Sequence, residues 1–219
     1  MLVERSMDPG WLSNAYLVAD EAGGTAVFVD SGAPVEPLLA AAERWGVRPG
    51  HVLRTHADAD HVAHEHELGV EVVTGTLDVG GLHVEGLPIP SHSDDDVAFV
   101  VNEEVCFTGD VLFRGAVGGG RNVPAIRGAV MDVLMKLPPG TRVLPGHTDE
   151  TTIGREWEEN PFVRFWRGLE PERDEPCRVG GDEAMIVVWS PDYDGRGKAL
   201  VRFADGREAI VGGSRLERI

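Results

Sequence analysis

Four side chains that can bind a metal ion lie within six residues of this chain, between a strand-like run and a helical pattern. The segment spans residues 55–61 and reads Thr-His-Ala-Asp-Ala-Asp-His. The apolar run from His51 to Leu53 predicts a strand, and the pattern from Val62 to Leu68 predicts a helix. A corner between a strand and a helix exposes alternate side chains to a cleft, so the segment predicts a metal site. The candidate ligands are His56, Asp58, Asp60 and His61.

Three later segments each place another candidate ligand in a turn. They are residues 90–93 with His92, residues 108–110 with Asp110, and residues 145–147 with His147. Each looks like a strand end that delivers one side chain to a shared edge. Mixed nitrogen and oxygen ligands suit zinc, iron or manganese. A chance cluster of polar surface residues is the alternative for the first segment taken alone.

These motifs, in this order, make residues 10–165 resemble a metallo-β-lactamase-fold hydrolase of the glyoxalase-II-like (hydroxyacylglutathione hydrolase-like) branch. That family has the signature His-x-His-x-Asp-His, then a His, an Asp in a Thr-Gly-Asp turn and a His in a Pro-Gly-His turn. The turn at residues 29–32 and the segment 109–113 also match. The matching signature positions are His56, Asp60, His61, His92, Asp110 and His147.

The resemblance implies an α/β (α+β) fold, a four-layer αββα sandwich with two divalent metal ions at one edge of its sheets. Zinc is the expected metal, with iron or manganese as alternatives. The first ion would be held by His56, Asp58 and His92, and the second by Asp60, His61 and His147, with Asp110 bridging the two. Metal ions lower the pKa of a shared water and supply hydroxide at neutral pH. The implied activity is hydrolysis of a small thioester, lactone or related ester, with Asp60 as the catalytic group that orients the nucleophile.

One position departs from the family, because Asp58 stands where the second His of the signature is expected. The extra carboxylate favours harder metals such as iron or manganese. If Asp58 does not reach the metal, His56, His92 and Asp110 form a two-His, one-carboxylate set of the kind found in non-haem iron oxygenases. A mononuclear iron persulfide dioxygenase is therefore one alternative function. A weakly catalytic metal-binding protein with a partner-binding β tail is another.

The chain is predicted to comprise a metal-binding domain at residues 1–169, a linker at 170–183 and a small antiparallel β appendage at 184–219. The linker is inferred from Pro, Arg and acidic residues, and the appendage from three short β-like runs. The appendage is a substrate lid or interaction module, or else a packing or dimerisation element. The predicted strands of the appendage are Ala184–Trp189, Lys198–Phe203 and Glu208–Val211. The predicted longer helices are Val35–Trp45, Ala125–Lys136 and Thr148–Glu159.

The charge balance restricts the ligand classes. Lys and Arg number 20 against 37 Asp and Glu, a formal net charge of -17, which disfavours nucleic acid. We expect a small-molecule substrate, no membrane association and a cytoplasmic location, because the N-terminus lacks a signal-peptide pattern. Homodimer formation stays open, and substrate-binding residues are not assigned. The only cysteines, Cys106 and Cys177, are too few for a disulfide framework, and Cys106 is predicted to be a buried packing residue.

Overall fold

The computed structural model describes all 219 residues and confirms the predicted mixed α/β class. The chain divides into two compact units. Unit 1 comprises Met1–Ile89, Asp95–Gly109 and Leu144–Thr148. Unit 2 comprises Pro90–Asp94, Asp110–Val143 and Asp149–Ile219. No helix combines the length and the apolar character needed to cross a membrane.

The first sheet of unit 1 has five strands in sequence order. They are β1 (Leu2–Met7), β2 (Asn14–Ala19), β3 (Thr25–Val29), β4 (Arg48–Leu53) and β5 (Glu71–Val73). The first three strands are antiparallel, whereas β3, β4 and β5 run parallel to one another. Parallel neighbours need a crossover connection, and helix α1 (Glu36–Trp45) provides it between β3 and β4. The predicted helix Val35–Trp45 is thus confirmed, one residue shorter.

The second sheet of unit 1 contains an antiparallel meander. Its strands are β6 (Leu77–Val79), β7 (Leu82–Pro88), β8 (Val97–Val101) and β9 (Val105–Phe107). Neighbouring residues of β2 point to opposite faces of the first sheet, and both faces are buried. Leu17 packs in the cluster that contains Leu38 of α1, whereas Tyr16 packs in the cluster that contains Phe99 of the meander.

The ligand-rich turn after β4 leads into two short helices, α2 (Ala59–Val62) and α3 (Glu65–Leu68). The prediction of one helix over Val62–Leu68 is therefore wrong. His64 leaves the helical conformation, with φ -106° and ψ 8°, and its backbone N–H donates to Ser31 O at 2.9 Å. This long-range hydrogen bond replaces the local one that a continuous helix would need.

Unit 2 begins with two small hairpin elements and a helical segment. The strands are β10 (Leu112–Phe113), β11 (Ala116–Val117), β12 (Arg142–Leu144, whose last residue belongs to unit 1) and β13 (Thr151–Thr152), and the helix is α4 (Val123–Gly128). The helix predicted at Ala125–Lys136 continues beyond α4, but as a π-helical stretch, Ala129–Val133, and a 3₁₀ turn, Leu134–Lys136.

Two further helices follow, α5 (Ile153–Glu159) and α6 (Pro161–Trp166). The helix predicted at Thr148–Glu159 begins only at Ile153, so its first part is wrong. Residues Thr151–Thr152 pair with strand β12 instead, and the Thr152 side chain caps the helix by accepting the Arg155 N–H at 3.2 Å.

The C-terminal sheet has five antiparallel strands in the order β17-β16-β15-β14-β18. Their bounds are β14 (Glu175–Val179), β15 (Asp182–Ser190), β16 (Lys198–Phe203), β17 (Glu208–Gly212) and β18 (Leu216–Arg218). The three predicted strands are confirmed. Strand β14, however, lies inside the predicted linker, because Cys177 is buried between two exposed residues, Pro176 and Arg178, and packs in the cluster that contains Ile186. The domain boundaries themselves stay a prediction.

Candidate metal centre

In unit 1, His61 is held by a buried carboxylate at the end of β3. Asp30 Oδ2 lies 2.8 Å from His61 Nδ1, and both side chains are buried. The turn that carries Asp30 passes very close to the metal-ligand segment, because a Cβ on Gly32 would lie 1.5 Å from the Asp60 carbonyl oxygen. Only glycine fits there, which explains why position 32 of the turn at residues 29–32 is a glycine.

The same carboxylate reaches His56 through Thr55. Asp30 accepts the Thr55 N–H and the Thr55 hydroxyl, both at 2.8 Å. Because the hydroxyl proton is given to Asp30, Thr55 Oγ1 is left to accept from His56 Nδ1 at 3.1 Å. Asp30 therefore orients two imidazoles, whose ring centroids lie 4.1 Å apart.

His147 approaches the same turn from the segment after β12. Its Nδ1–H donates to the Leu12 carbonyl at 2.9 Å, and its Nε2 lies 3.4 Å from Asp60 Oδ2. The segment is held by hydrogen bonds from the Asn14 amide and the Tyr16 hydroxyl to the Pro145 carbonyl. The ligand atoms of Asp60, His61 and His147 all lie within 4.8 Å of one another.

In unit 2, His92 and Asp110 form a second pair. His92 Nε2 lies 3.9 Å from Asp110 Oδ2, and His92 Nδ1–H donates to the Gly119 carbonyl at 2.7 Å. The Gly118 position is close to both residues, because a Cβ there would lie 2.0 Å from the Asp110 carbonyl oxygen and 3.3 Å from His92 Cβ.

The four imidazoles share one arrangement. Each uses Nδ1 to contact a protein oxygen, and each places Nε2 between 3.4 and 4.0 Å from a carboxylate oxygen. Such separations are too long for good hydrogen bonds but close to the roughly 3.3 Å between two ligands that sit 2.0–2.1 Å from one tetrahedral ion. Metal-binding histidines characteristically donate their second ring N–H to such partners. The donor set therefore fits divalent metal ions.

The structure places the predicted site residues in two groups, five in unit 1 and two in unit 2. Asp58 lies beside His56, with Oδ2 3.6 Å from His56 Nε2, and its side chain is 55% exposed. No motif in the sequence assigned a role to the partners of the imidazoles, namely Asp30, Thr55, Leu12 and Gly119. Two of them lie in segments that the sequence singled out, Asp30 in the turn at residues 29–32 and Thr55 at the start of the segment 55–61.

These features define an α/β protein whose donor set fits metal ions, and comparison with known proteins identifies its fold. No protein-family model matches the chain. The probable metallo-hydrolase YqgX of Bacillus subtilis is 27% identical over 197 residues, which cover 69% of this chain and 92% of that relative. The solved structure of TTHA1623 in a di-iron-bound form is 31% identical with a TM-score of 0.59, over 72% of this chain and 98% of that one.

Two more solved structures share the fold. BLEG-1 B3 metallo-β-lactamase gives a TM-score of 0.66 at 23% identity and covers 74% of this chain and 99% of its own. ETHE1 from Myxococcus xanthus gives 0.62 at 24% identity and covers 79% and 93%. The chain therefore has the metallo-β-lactamase fold.

Proposed function

We propose that this chain hydrolyses a small thioester, lactone or related ester with the help of two divalent metal ions. The observation that carries the proposal is the group of Asp60, His61 and His147, whose two imidazoles are buried and held through Nδ1. By analogy with the family, His56, Asp58 and His92 would hold the first ion and Asp60, His61 and His147 the second, with Asp110 as a ligand shared by both. The complete proposed ligand set is His56, Asp58, Asp60, His61, His92, Asp110 and His147.

The metal ions, when bound, supply a water of lowered pKa and polarise the scissile carbonyl group. Asp60 is the proposed catalytic group, because its side chain is 27% exposed, whereas those of His61 and His147 are 0% and 3% exposed. It is thus the member of the group that an attacking water can reach. Asp60 orients this water and accepts its proton, while Asp30 and the Leu12 carbonyl hold the imidazoles in place.

Neither cysteine is suited to act as the nucleophile. Cys106 is fully buried, and burial raises the pKa of its thiol to about 12. Cys177 is also buried, and burial raises the pKa of its thiol as well. A thiolate is the nucleophilic form of cysteine, and it is scarce at neutral pH when the pKa is raised. This supports a reaction in which water attacks directly.

We propose zinc as the metal, with iron or manganese as the alternatives. The proposed set contains three carboxylates, and oxygen donors suit iron and manganese as well as zinc. A di-iron form is known for the neighbour TTHA1623. The metal identity therefore has to be measured on this protein.

A mononuclear iron persulfide dioxygenase is the second candidate function. It is favoured by the 55% exposure of the Asp58 side chain, which stands where the family has a histidine. If Asp58 does not ligate, His56, His92 and Asp110 form the two-His, one-carboxylate set. The similarity to ETHE1 concerns the fold alone.

Elemental analysis of protein purified without added metal or chelator separates the two candidates. About two metal ions per chain, together with turnover of a thioester or lactone panel, support the hydrolase. One iron ion per chain, with oxygen consumption on a persulfide donor, supports the dioxygenase and contradicts the first proposal. His61→Ala should lose metal, whereas His83→Ala, which changes an exposed histidine paired with Asp78, should retain it.

We also propose that the substrate is a small molecule rather than nucleic acid and that the protein acts in the cytoplasm. The formal net charge of -17 supports the first part, because a phosphate backbone would be repelled. Binding of labelled oligonucleotides at low salt would contradict it. Cell fractionation tests the location, and size-exclusion chromatography with light scattering tests whether a homodimer forms.

A further inference from the structure

A large cavity in unit 2 contains both of its candidate metal ligands. Its volume is about 1010 Å³, and its lining includes His92, Asp110 and the Gly119–Gly120 backbone. The C-terminal sheet forms another part of the same lining, with Lys198 of β16 and Ile210 of β17 among its residues. The C-terminal sheet thus faces the same space as two residues of the proposed metal centre.

A short glycine loop connects the sheet to His92. The Gly119 carbonyl accepts the His92 Nδ1–H at 2.7 Å. The next residue, Gly120, makes two backbone hydrogen bonds with Ile210 of β17. Gly120 N–H donates to Ile210 O at 2.9 Å, and Ile210 N–H donates to Gly120 O at 2.8 Å. The edge strand of the sheet therefore holds the carbonyl that orients a candidate metal ligand.

Close packing explains why this loop consists of glycines. A Cβ on Gly118 would lie 2.0 Å from the Asp110 carbonyl oxygen, and one on Gly119 would lie 3.3 Å from the Ile210 carbonyl oxygen. None of the three glycines at 118–120 has a positive φ, so the requirement is for space rather than for an unusual backbone conformation. The loop is enclosed between Asp110 on one side and β17 on the other.

We propose that strand β17 is a positioning element for the metal ligand His92. By holding the Gly118–Gly120 loop, it keeps the Gly119 carbonyl in place to accept the Nδ1–H, so that Nε2 carries the lone pair for the metal. The C-terminal sheet is then part of the metal centre rather than a separate appendage. This inference rests on the proposed function in one respect, because it requires His92 to be a metal ligand.

The first test removes the Ile210 N–H. Ile210→Pro deletes the donor to Gly120 O, and an edge strand accepts proline where the N–H faces away from the sheet. Ile210→Val is the matched control, because it trims the buried side chain and keeps the N–H. We expect the proline variant to bind zinc about tenfold more weakly, in the range for loss of an outer-shell partner, and the valine variant to stay within about twofold.

A second pair of variants does not depend on proline. Gly119→Ala places a Cβ 3.3 Å from the Ile210 backbone carbonyl oxygen, so the loop or the strand must shift by a few tenths of an ångström. Gly140→Ala is its control, since a Cβ there meets nothing within 4 Å. We expect weaker zinc binding for the first variant only.

Each full-length variant is measured in three ways beside wild type and His92→Ala. Zinc affinity comes from competition with a chromogenic chelator, ligand geometry from the visible spectrum of the cobalt-substituted protein, and folding from thermal unfolding of the same samples. A cobalt spectrum shifted towards that of His92→Ala, at unchanged unfolding temperature, supports positioning.

The outcomes separate the two proposals. If His92→Ala binds zinc weakly while Ile210→Pro and Gly119→Ala behave like wild type, the positioning role of β17 is wrong and the ligand set stands. If His92→Ala itself binds zinc like wild type, His92 is not a ligand, and both the seven-residue set and this inference are wrong. A loss of affinity that only follows a loss of folding also contradicts a positioning role.

Discussion

Changing Asp30 to Asn should weaken metal binding although Asp30 is not itself a proposed ligand. The Asp30 carboxylate accepts hydrogen bonds from the Thr55 backbone, the Thr55 hydroxyl and His61 Nδ1, each at 2.8 Å. An asparagine that keeps its oxygen on the Thr55 N–H turns its NH₂ towards His61. Nδ1 must then accept, the ring proton moves to Nε2, and this tautomer has no lone pair for a metal.

The expected magnitude follows from the number of imidazoles affected. Loss of one outer-shell partner typically lowers metal affinity by about 10- to 100-fold, or about 1.4 to 2.8 kcal/mol. Asp30 orients His61 directly and His56 through Thr55, so we expect Asp30→Asn near the upper end of this range. Thr55→Val removes only the hydrogen-bonded link from Asp30 to His56, so its loss of metal affinity should lie near the lower end of this range. The metal-free protein should also lose about 1–3 kcal/mol of unfolding free energy, because buried donors lose an acceptor.

The assay is zinc competition with a chelator, combined with denaturant unfolding of the metal-free protein. Asp132→Asn is the matched control, since Asp132 takes part in none of the hydrogen bonds or ion pairs described for the chain and should bind zinc like wild type. Asp30→Asn with zinc affinity within twofold of wild type would refute the reasoning, because it would show that the carboxylate does not set the tautomers. A fall in stability without a fall in affinity would lead to the same conclusion.

Three further predictions concern other parts of the chain. Asp58→His should raise zinc occupancy and hydrolytic turnover, measured by elemental analysis and ester assays; unchanged values would show that position 58 does not ligate. Burial raises the pKa of Glu156 above its ordinary 4.5, against hydrogen bonds from Thr151, Gly115 and Asn160 that lower it. The unfolding free energy should therefore fall as pH rises from about 4.5 through the folded-state pKa, and it should level off above that pKa. Glu156→Gln should remove this fall when the unfolding free energy is measured by denaturant titration at each pH. A fall of the same size in the variant would contradict this assignment. Cys106, whose thiol has a pKa of about 12, should not react with a thiol reagent in the folded protein at neutral pH but should react after denaturation; rapid labelling of the native protein, located by mass spectrometry, would be inconsistent with its burial.

Local patterns were sufficient for much of the fold. The strand Lys198–Phe203 has the bounds that its apolar run predicts, and helix α1 ends at Trp45 as its pattern predicts. Local patterns were insufficient where a distant strand competed for the backbone. Residues Thr151–Thr152 were predicted to be helical, but they pair with β12. Strand β14 was taken for a linker because its charged residues conceal the buried Cys177.

The sequence by itself determined the fold class and the side chains offered to metal ions, because ligand type and strand-to-turn spacing are local properties. Only the tertiary structure decided how the imidazoles are oriented. The Asp30 to His61 contact joins residues 31 positions apart, and the Leu12 to His147 hydrogen bond joins residues 135 apart. The contact between the loop at 118–120 and β17 likewise depends on chain segments far apart in sequence. Such partners are chosen by the packing of whole sheets, and no periodicity within a short segment specifies them.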